Sequence, residues 1–234
     1  MKIENAVALV TGENRGIGLA FARELLERGA RKVYAAARDP ATITQSGVHA
    51  LRLDVDKPED VAAAAALASD VTLLINNAGI AQPGGFLAAD SEEVARRHLE
   101  TNFFAMLRMS KAFAPILKGH GGGALLNVLS LTAWVNGGEL AAYSASKSAA
   151  WSLTNALRNE LAVQKTQVLA LHMAGVDTDL ARAFDIPKSS PQEIVRRALD
   201  GLESGLDEVL ADERTLQFKR GMTAARPSYL PQAS

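Results

Sequence analysis

At 234 residues, with 48% hydrophobic content and a formal charge of -1, the chain is long enough for one large α/β core and carries no basic field that would gather nucleic acid or an anionic membrane. Cysteine is absent, which excludes disulfides, thiolate catalysis and cysteine-ligated metals and agrees with a cytoplasmic, reducing setting. Small molecules are the expected partners.

Glu4 and Asn5 precede the apolar run 7–10, so the chain start reads as a first strand and not as a secretory signal. A helical pattern over 17–28, an apolar run over 32–37 and another over 49–53 follow. Short β-prone runs that alternate with longer helical segments predict βαβ units and a parallel sheet. The alternation continues with an alanine-rich helix over 58–69, a strand over 71–76 and a long helical stretch over 91–117, which the glycines of 119–123 break. A strand over 124–129, a helix over 141–163, a strand over 167–173, a helix over 191–204 and a short strand over 208–210 complete the series. The expectation is an α/β chain with one seven-stranded, doubly wound parallel sheet flanked by helices on both faces, spanning 1–226, with 227–234 as a loose tail. Asp70, Asn127 and Ser130 interrupt the greasiest stretches, so none reaches the roughly 20 residues of a membrane span and a soluble protein is expected.

In doubly wound sheets ligands bind beyond the carboxyl ends of the strands, where the strand order reverses, so residues just after each strand are the informative ones. After the first strand comes Thr11-Gly12-Glu13-Asn14-Arg15-Gly16-Ile17-Gly18, and the next helix opens within it. Glycines let the backbone turn tightly and approach a pyrophosphate, while free N–H groups and the helix dipole attract its charge. By themselves such glycines also serve simply to join a strand to a helix, and their spacing differs from Gly-x-Gly-x-x-Gly.

Asn76-Asn77-Ala78-Gly79 ends the fourth strand, Ser130 ends the fifth, and Tyr143 and Lys147 follow at i and i+4 on a helix. That spacing puts two Cβ atoms roughly 5–6 Å apart on one face, so both side chains can enter one cleft. A free tyrosine titrates near ~10, and a neighbouring ammonium favours the phenolate, so Lys147 is expected to lower the Tyr143 pKa. This order of motifs, from residue 7 to about residue 178, resembles the short-chain dehydrogenase/reductase family.

The resemblance implies a Rossmann fold and an NADPH-dependent, carbonyl-reductase-like oxidoreductase that converts a ketone or aldehyde to an alcohol. It implies that Tyr143 gives its proton to the carbonyl oxygen, Ser130 hydrogen-bonds that oxygen and Lys147 also holds the nicotinamide ribose. Asn102, within the long helix, would bend it and anchor a water leading to the lysine. Such an arrangement is general acid catalysis with donors aimed at a developing alkoxide, and no metal is expected. The four histidines, His49, His98, His120 and His172, show no ligand spacing, although His172 ends a strand near the expected cofactor. By resemblance Gly12, Asn14, Arg15, Ile17 and Gly18 line the phosphates and Asp54 and Val55 the adenine. Asn77, Ala78, Gly79, Val176 and Thr178 would line the rest, with Tyr143 and Lys147 as cofactor contacts too. A homodimer or homotetramer is expected through paired long helices, where Ala141, Ala142, Ala145, Ala149 and Ala150 permit close approach.

The second strand stops at Ala37-Arg38 without the acidic residue that binds the ribose hydroxyls in NAD enzymes. Arg38 and Arg15 are therefore expected to read a 2′-phosphate and favour NADPH. Two departures from the family stand out. Ala174 replaces the proline usual after the sixth strand, and Glu13 would repel a cofactor phosphate unless it points to solvent. A short lid with Phe184 and Ile186 is expected over an open pocket floored by Ile80, Gln82, Leu131, Trp134 and Val135, whose apolar walls suit aromatic or aliphatic carbonyls. Competing readings are a non-catalytic dinucleotide-binding regulator or scaffold and an alcohol dehydrogenase working in the oxidative direction. The intact Ser130, Tyr143 and Lys147 set argues against the first.

Overall fold

The first strand, β1 (Val7–Thr11), is buried along its whole length, and its side chains divide by parity. Ala8 and Val10 join one apolar cluster, Val7 and Leu9 the other. Because successive strand residues point to opposite faces, a strand covered on both sides reads as an unbroken apolar run.

The computed structural model describes residues 1–182 and 185–230. After β1 come α1 (Gly16–Glu27), β2 (Lys32–Ala37), β3 (His49–Arg52), α2 (Pro58–Leu67) and β4 (Leu73–Asn76). Helices α3 (Ser91–Leu99) and α4 (Ala105–Gly119) flank a π turn over Glu100–Phe104. The chain continues through β5 (Ala124–Val128), α5 (Ala141–Leu161), β6 (Gln167–His172), α6 (Pro191–Glu203), β7 (Glu208–Leu210) and α7 (Glu213–Gly221). The seven strands lie in the order β3-β2-β1-β4-β5-β6-β7 and every pair is parallel, as expected. Strand order reverses between β1 and β4, so their carboxyl ends open the crevice in which such sheets bind ligands.

Phe21 and Leu25 of α1 and Ile194 and Leu199 of α6 cover one face against Val10, Leu126 and Leu169. Val61 of α2, Phe113 of α4 and Leu157 of α5 cover the other against Leu9, Leu74 and Leu125. Each large side chain so buried contributes about 1.5–3 kcal/mol. Asn127, which interrupts the apolar run of β5, is paired on both sides. Its Oδ1 accepts from Asn76 Nδ2 at 2.9 Å and its Nδ2 donates to Thr154 Oγ1 at 2.9 Å, which ties β4, β5 and α5 together.

Two features differ from the sequence reading. The stretch expected as one helix over 91–117 is broken by the π turn, around the Asn102 at which the resemblance implied a bend. A further helix, α7, follows β7, and the segment expected as a loose tail begins tied to it. Ser228 N–H donates to Gly221 O at 3.0 Å and Ser228 Oγ donates to Phe218 O at 2.8 Å. Among the described residues no helix is long and apolar enough to cross a membrane.

Candidate active site

The loop from β1 to α1 turns at Gly12, whose φ of +66° favours glycine, and a Cβ there would sit 3.0 Å from Ala78 Cα. At Gly18 a Cβ would lie 2.3 Å from Gly12 O, so no larger residue fits. Helix α1 starts without a side-chain cap and without an acidic residue in its first turn. Its first N–H groups therefore suit an anion, and the cradle fits the phosphates of a dinucleotide. Thr11 stitches this loop to the segment after β4, because its Oγ1 accepts the N–H groups of Asn77 at 2.9 Å and Ala78 at 3.0 Å. Asn77 Nδ2 donates back to Thr11 O at 2.8 Å and Gly12 O at 3.1 Å, so this side chain shapes the loop.

Asn14, Ile17, Asp54 and Val55 are half-buried around the crevice. Asp54 Oδ1 accepts the Asp56 N–H at 3.2 Å and Val55 O accepts Arg108 Nη1 at 2.9 Å. From the far side Thr178 reaches the glycine loop, its Cγ2 3.1 Å from where a Gly16 Cβ would be, and Val176 is buried beside it. Ala37 is buried at the end of β2 and Arg38 is exposed just beyond. Asp39 is committed elsewhere, capping a short turn by accepting the Ala41 N–H at 3.0 Å. Arg15 is exposed, with Nη1 3.5 Å from Asp179 Oδ2.

The four expected catalytic side chains gather at the carboxyl ends of β4 and β5. Asn102 sits in the π turn and is fully buried. Its Oδ1 accepts the Ile80 N–H at 2.9 Å, and its Nδ2 donates to Ile80 O and to Ser146 Oγ, each at 2.9 Å. Gly79 lies against this group, since a Cβ there would be 3.0 Å from Asn102 Oδ1 and 3.7 Å from Lys147 Nζ. Lys147 is buried and donates to Val128 O at 2.9 Å, and burial pushes its pKa down to about 8. Ser130 follows β5 and caps a short turn, accepting the Thr132 N–H at 3.1 Å. Tyr143 shares a hydrogen bond with Ser130, and Lys147 Nζ lies 5.7 Å from the Tyr143 ring centroid.

The expectation that Lys147 lowers the Tyr143 pKa is not met. Burial raises the phenol above its ordinary value, and the Ser130 hydrogen bond only opposes that rise.

Glu13 also departs from expectation, since its side chain turns inward. It is 0% exposed, both carboxylate oxygens lack a hydrogen-bond partner, and burial pushes its pKa up to about 7 against a smaller lowering by Arg23.

Ala174, where the resemblance implied a proline, has a backbone N–H, and Asp212 Oδ2 accepts it at 2.7 Å. The same carboxylate caps α7, accepting the Thr215 N–H on Oδ1 at 2.8 Å. Above this joint Trp134 is packing and not an open pocket floor. It stacks on His172 with centroids 4.0 Å apart, Lys219 Nζ lies 4.4 Å from its centroid, and Leu131, Val135, Phe218 and Met222 complete the cluster. His172 is buried, its Nδ1–H donates to Ser130 O at 3.1 Å, and burial pushes its pKa down to about 4, so the ring is neutral at pH 7. Ile80, Gln82 and Ile186 are exposed at the mouth, while Phe184 lies outside the described residues.

His98 and Ser146 belong to the site as well, although no motif marked them. His98 Nδ1–H donates to Val94 O at 2.7 Å, which leaves Nε2 to accept the Gln82 N–H at 3.0 Å, and the ring meets Tyr143 edge-on at 6.4 Å. Their only signal in the sequence is spacing: His98 lies one helical turn before Asn102, and Ser146 adjoins Lys147. Among the described residues no cluster of His, Asp and Glu could hold a metal.

The family model for short chain dehydrogenase matches residues 6–188. Dehydrogenase/reductase SDR family member 4 of Oryctolagus cuniculus is 31% identical over 208 residues, covering 83% of this chain and 80% of the relative. A short chain dehydrogenase from Burkholderia cenocepacia, solved in complex with NADP, superposes with a TM-score of 0.93 at 41% identity, covering 97% of this chain and 96% of that one. A 3-ketoacyl-(acyl-carrier-protein) reductase from Brucella melitensis, complexed with NADH, superposes with a TM-score of 0.81 at 29% identity, covering 92% of this chain and 100% of that one. Sequence, fold and site together place the chain in the short-chain dehydrogenase/reductase family of nicotinamide-dinucleotide oxidoreductases.

Proposed function

We propose that the chain reduces ketones or aldehydes to alcohols with NADPH, with Tyr143 as the acid. The observation that carries this reading is the Ser130–Tyr143 hydrogen bond with the Lys147 ammonium on the same side. When bound, the dinucleotide supplies hydride to the carbonyl carbon. Ser130 and Tyr143 hold the carbonyl oxygen between two hydroxyl donors, and the Tyr143 proton passes to that oxygen as negative charge grows on it. With its pKa about 8, Lys147 is still largely cationic at pH 7, and its charge offsets the tyrosinate left behind. Val128 O fixes the lysine from below, and Asn102 braces the Ile80 segment and the helix that bears Tyr143 through Ser146.

Arg15 and Arg38 supply the preference for a 2′-phosphate. A hydrogen bond to a charged group contributes roughly 1.5–3 kcal/mol, or about 10- to 150-fold, and less where salt and water screen it, as at both exposed arginines. The NADP complex of the Burkholderia cenocepacia relative supports this side of the choice. A homodimer or homotetramer of small-molecule-reducing subunits in the cytoplasm completes the reading. Ala141, Ala142 and Ala150 are consumed by packing within the subunit, so a partner would meet Ala145, Ala149 and the exposed Phe104 instead. The decisive test is NADPH oxidation over a panel of aromatic and aliphatic ketones and aldehydes. Turnover with at least one of them is expected, and no oxidation with any would refute the activity.

A further inference from the structure

Glu13 is the residue of the phosphate loop whose chemistry opposes the proposed ligand. Its N–H donates to Ala36 O at 3.2 Å, which pins its backbone to the seam between β1 and β2 directly beneath the cradle. With the side chain 0% exposed and no donor from the described residues on either oxygen, a charge there is out of reach of bulk solvent and costly. The surrounding charges compensate it only in part, since the lowering by Arg23 is smaller than the rise from burial. Arg23 on α1 is turned to Gln45, its Nε donating to Oε1 at 2.9 Å. Arg15 of the loop is exposed and faces Asp179, and beyond β2 both Arg38 and Asp39 are exposed.

Resting on the reading of this loop as a dinucleotide cradle, we propose that Glu13 links cofactor binding to a proton: the chain holds the dinucleotide with Glu13 as a neutral acid, and ionised Glu13 rejects it by repelling its phosphates. The sign follows from linkage. A bound pyrophosphate raises the tendency of Glu13 to keep its proton, so binding above neutrality draws a proton in. Affinity is full well below pH 7, where Glu13 is already neutral, and weakens as pH rises through about 7, the value to which burial pushes it. The limiting slope is about tenfold per pH unit.

Glu13→Gln keeps the shape of the neutral acid and cannot ionise. Dissociation constants of NADPH and NADH are measured by calorimetry for both proteins from pH 6.0 to 8.5. The ratio of the unaltered protein's Kd to that of E13Q is expected near one at pH 6 and about tenfold or more at pH 8.5. NADH shows the same ratio, because the pyrophosphate alone suffices and the 2′-phosphate's own titration is absent. Repeating the titration with NADH at pH 7.5 in two buffers of different ionisation enthalpy counts protons directly on the unaltered chain. It should take up about 0.5–1 proton per dinucleotide beyond any uptake by E13Q. A ratio that stays flat with pH, or zero uptake by the unaltered chain, overturns the proposal while leaving the cradle intact. If neither protein binds either dinucleotide at any pH, the cradle reading falls and the proposal with it.

Discussion

Replacing Asp212 by alanine removes two supports at once, since one carboxylate oxygen accepts the Ala174 N–H at 2.7 Å and the other accepts the Thr215 N–H at 2.8 Å. Losing an N-cap costs about 0.5–2 kcal/mol, and losing a hydrogen bond to a charged acceptor about 1.5–3 kcal/mol. Discounted for the half-buried position of Ala174, the sum is about 2–4 kcal/mol, which lowers Tm by roughly 4–16 °C at about 2–4 °C per kcal/mol for a chain of this size. Ala174→Pro isolates one share, because proline has no N–H to be left unpaired. In an Ala174→Pro background the same Asp212→Ala change should cost only the cap, about 1 kcal/mol, so the double-mutant cycle shows a coupling of about 1–3 kcal/mol. Chemical denaturation of the four proteins at one pH reads it. A coupling indistinguishable from zero, with Asp212→Ala itself within about 0.5 kcal/mol of the parent, would refute the claim that this carboxylate ties α7 to the loop after β6.

Tyr143→Phe should retain the fold and dinucleotide affinity but lower carbonyl reduction by roughly 10²- to 10⁴-fold, the usual worth of a positioned acid. Near-normal kcat in stopped assays would remove Tyr143 from the chemistry. The unaltered chain should show a higher kcat/KM with NADPH than with NADH, narrowed by Arg38→Ala and reversed by Ala37→Asp combined with Arg38→Ala. Equal use of NADH at low salt would show that the arginines do not read the phosphate. Glu13 also predicts a pH dependence of stability. Its folded pKa of about 7 lies above the ordinary 4.5, so its contribution is fully present below 4.5 and is lost as pH rises to about 7, a loss of about 3 kcal/mol at roughly 1.4 kcal/mol per tenfold. Glu13→Gln should therefore gain stability relative to the parent between pH 4 and pH 8, and an unchanged difference in Tm across that range would count against a buried, unpartnered acid.

Much of the site was legible in the sequence because its parts sit just after strands, where a parallel sheet delivers them to one edge. Gly12 is readable as a glycine from its positive φ and Gly18 because no Cβ fits, and Tyr143 and Lys147 because the helical repeat puts them on one face. The π turn was legible only through the resemblance, which implied a bend at Asn102, because by itself Glu100-Thr101-Asn102-Phe103-Phe104 continues a helical pattern. The break comes with Asn102 bonding the backbone of Ile80, a tertiary contact that local propensity does not contain. Helix α7 is short and polar, and its support comes from the Asp212 cap and from Phe218 and Met222 against Trp134, so its apolar pattern alone is weak. The inward turn of Glu13 and the raised Tyr143 pKa were likewise hidden, because each is set by which side of a loop or cleft excludes water.

The support of the Ser130 loop by His172, Trp134 and the α7 cap has a consequence for the order in which the polypeptide is made. Ser130, Tyr143 and Lys147 leave the ribosome well before β7 and α7, yet the carbonyl of Ser130 is held by the His172 ring, which stacks on Trp134, and it is Trp134 that the last helix covers. A nascent chain halted before Asp212 would display the candidate catalytic groups against a half-built wall, with the Ala174 N–H unanswered. The wall behind the Ser130 loop is thus completed last, by a segment that carries none of the candidate catalytic groups.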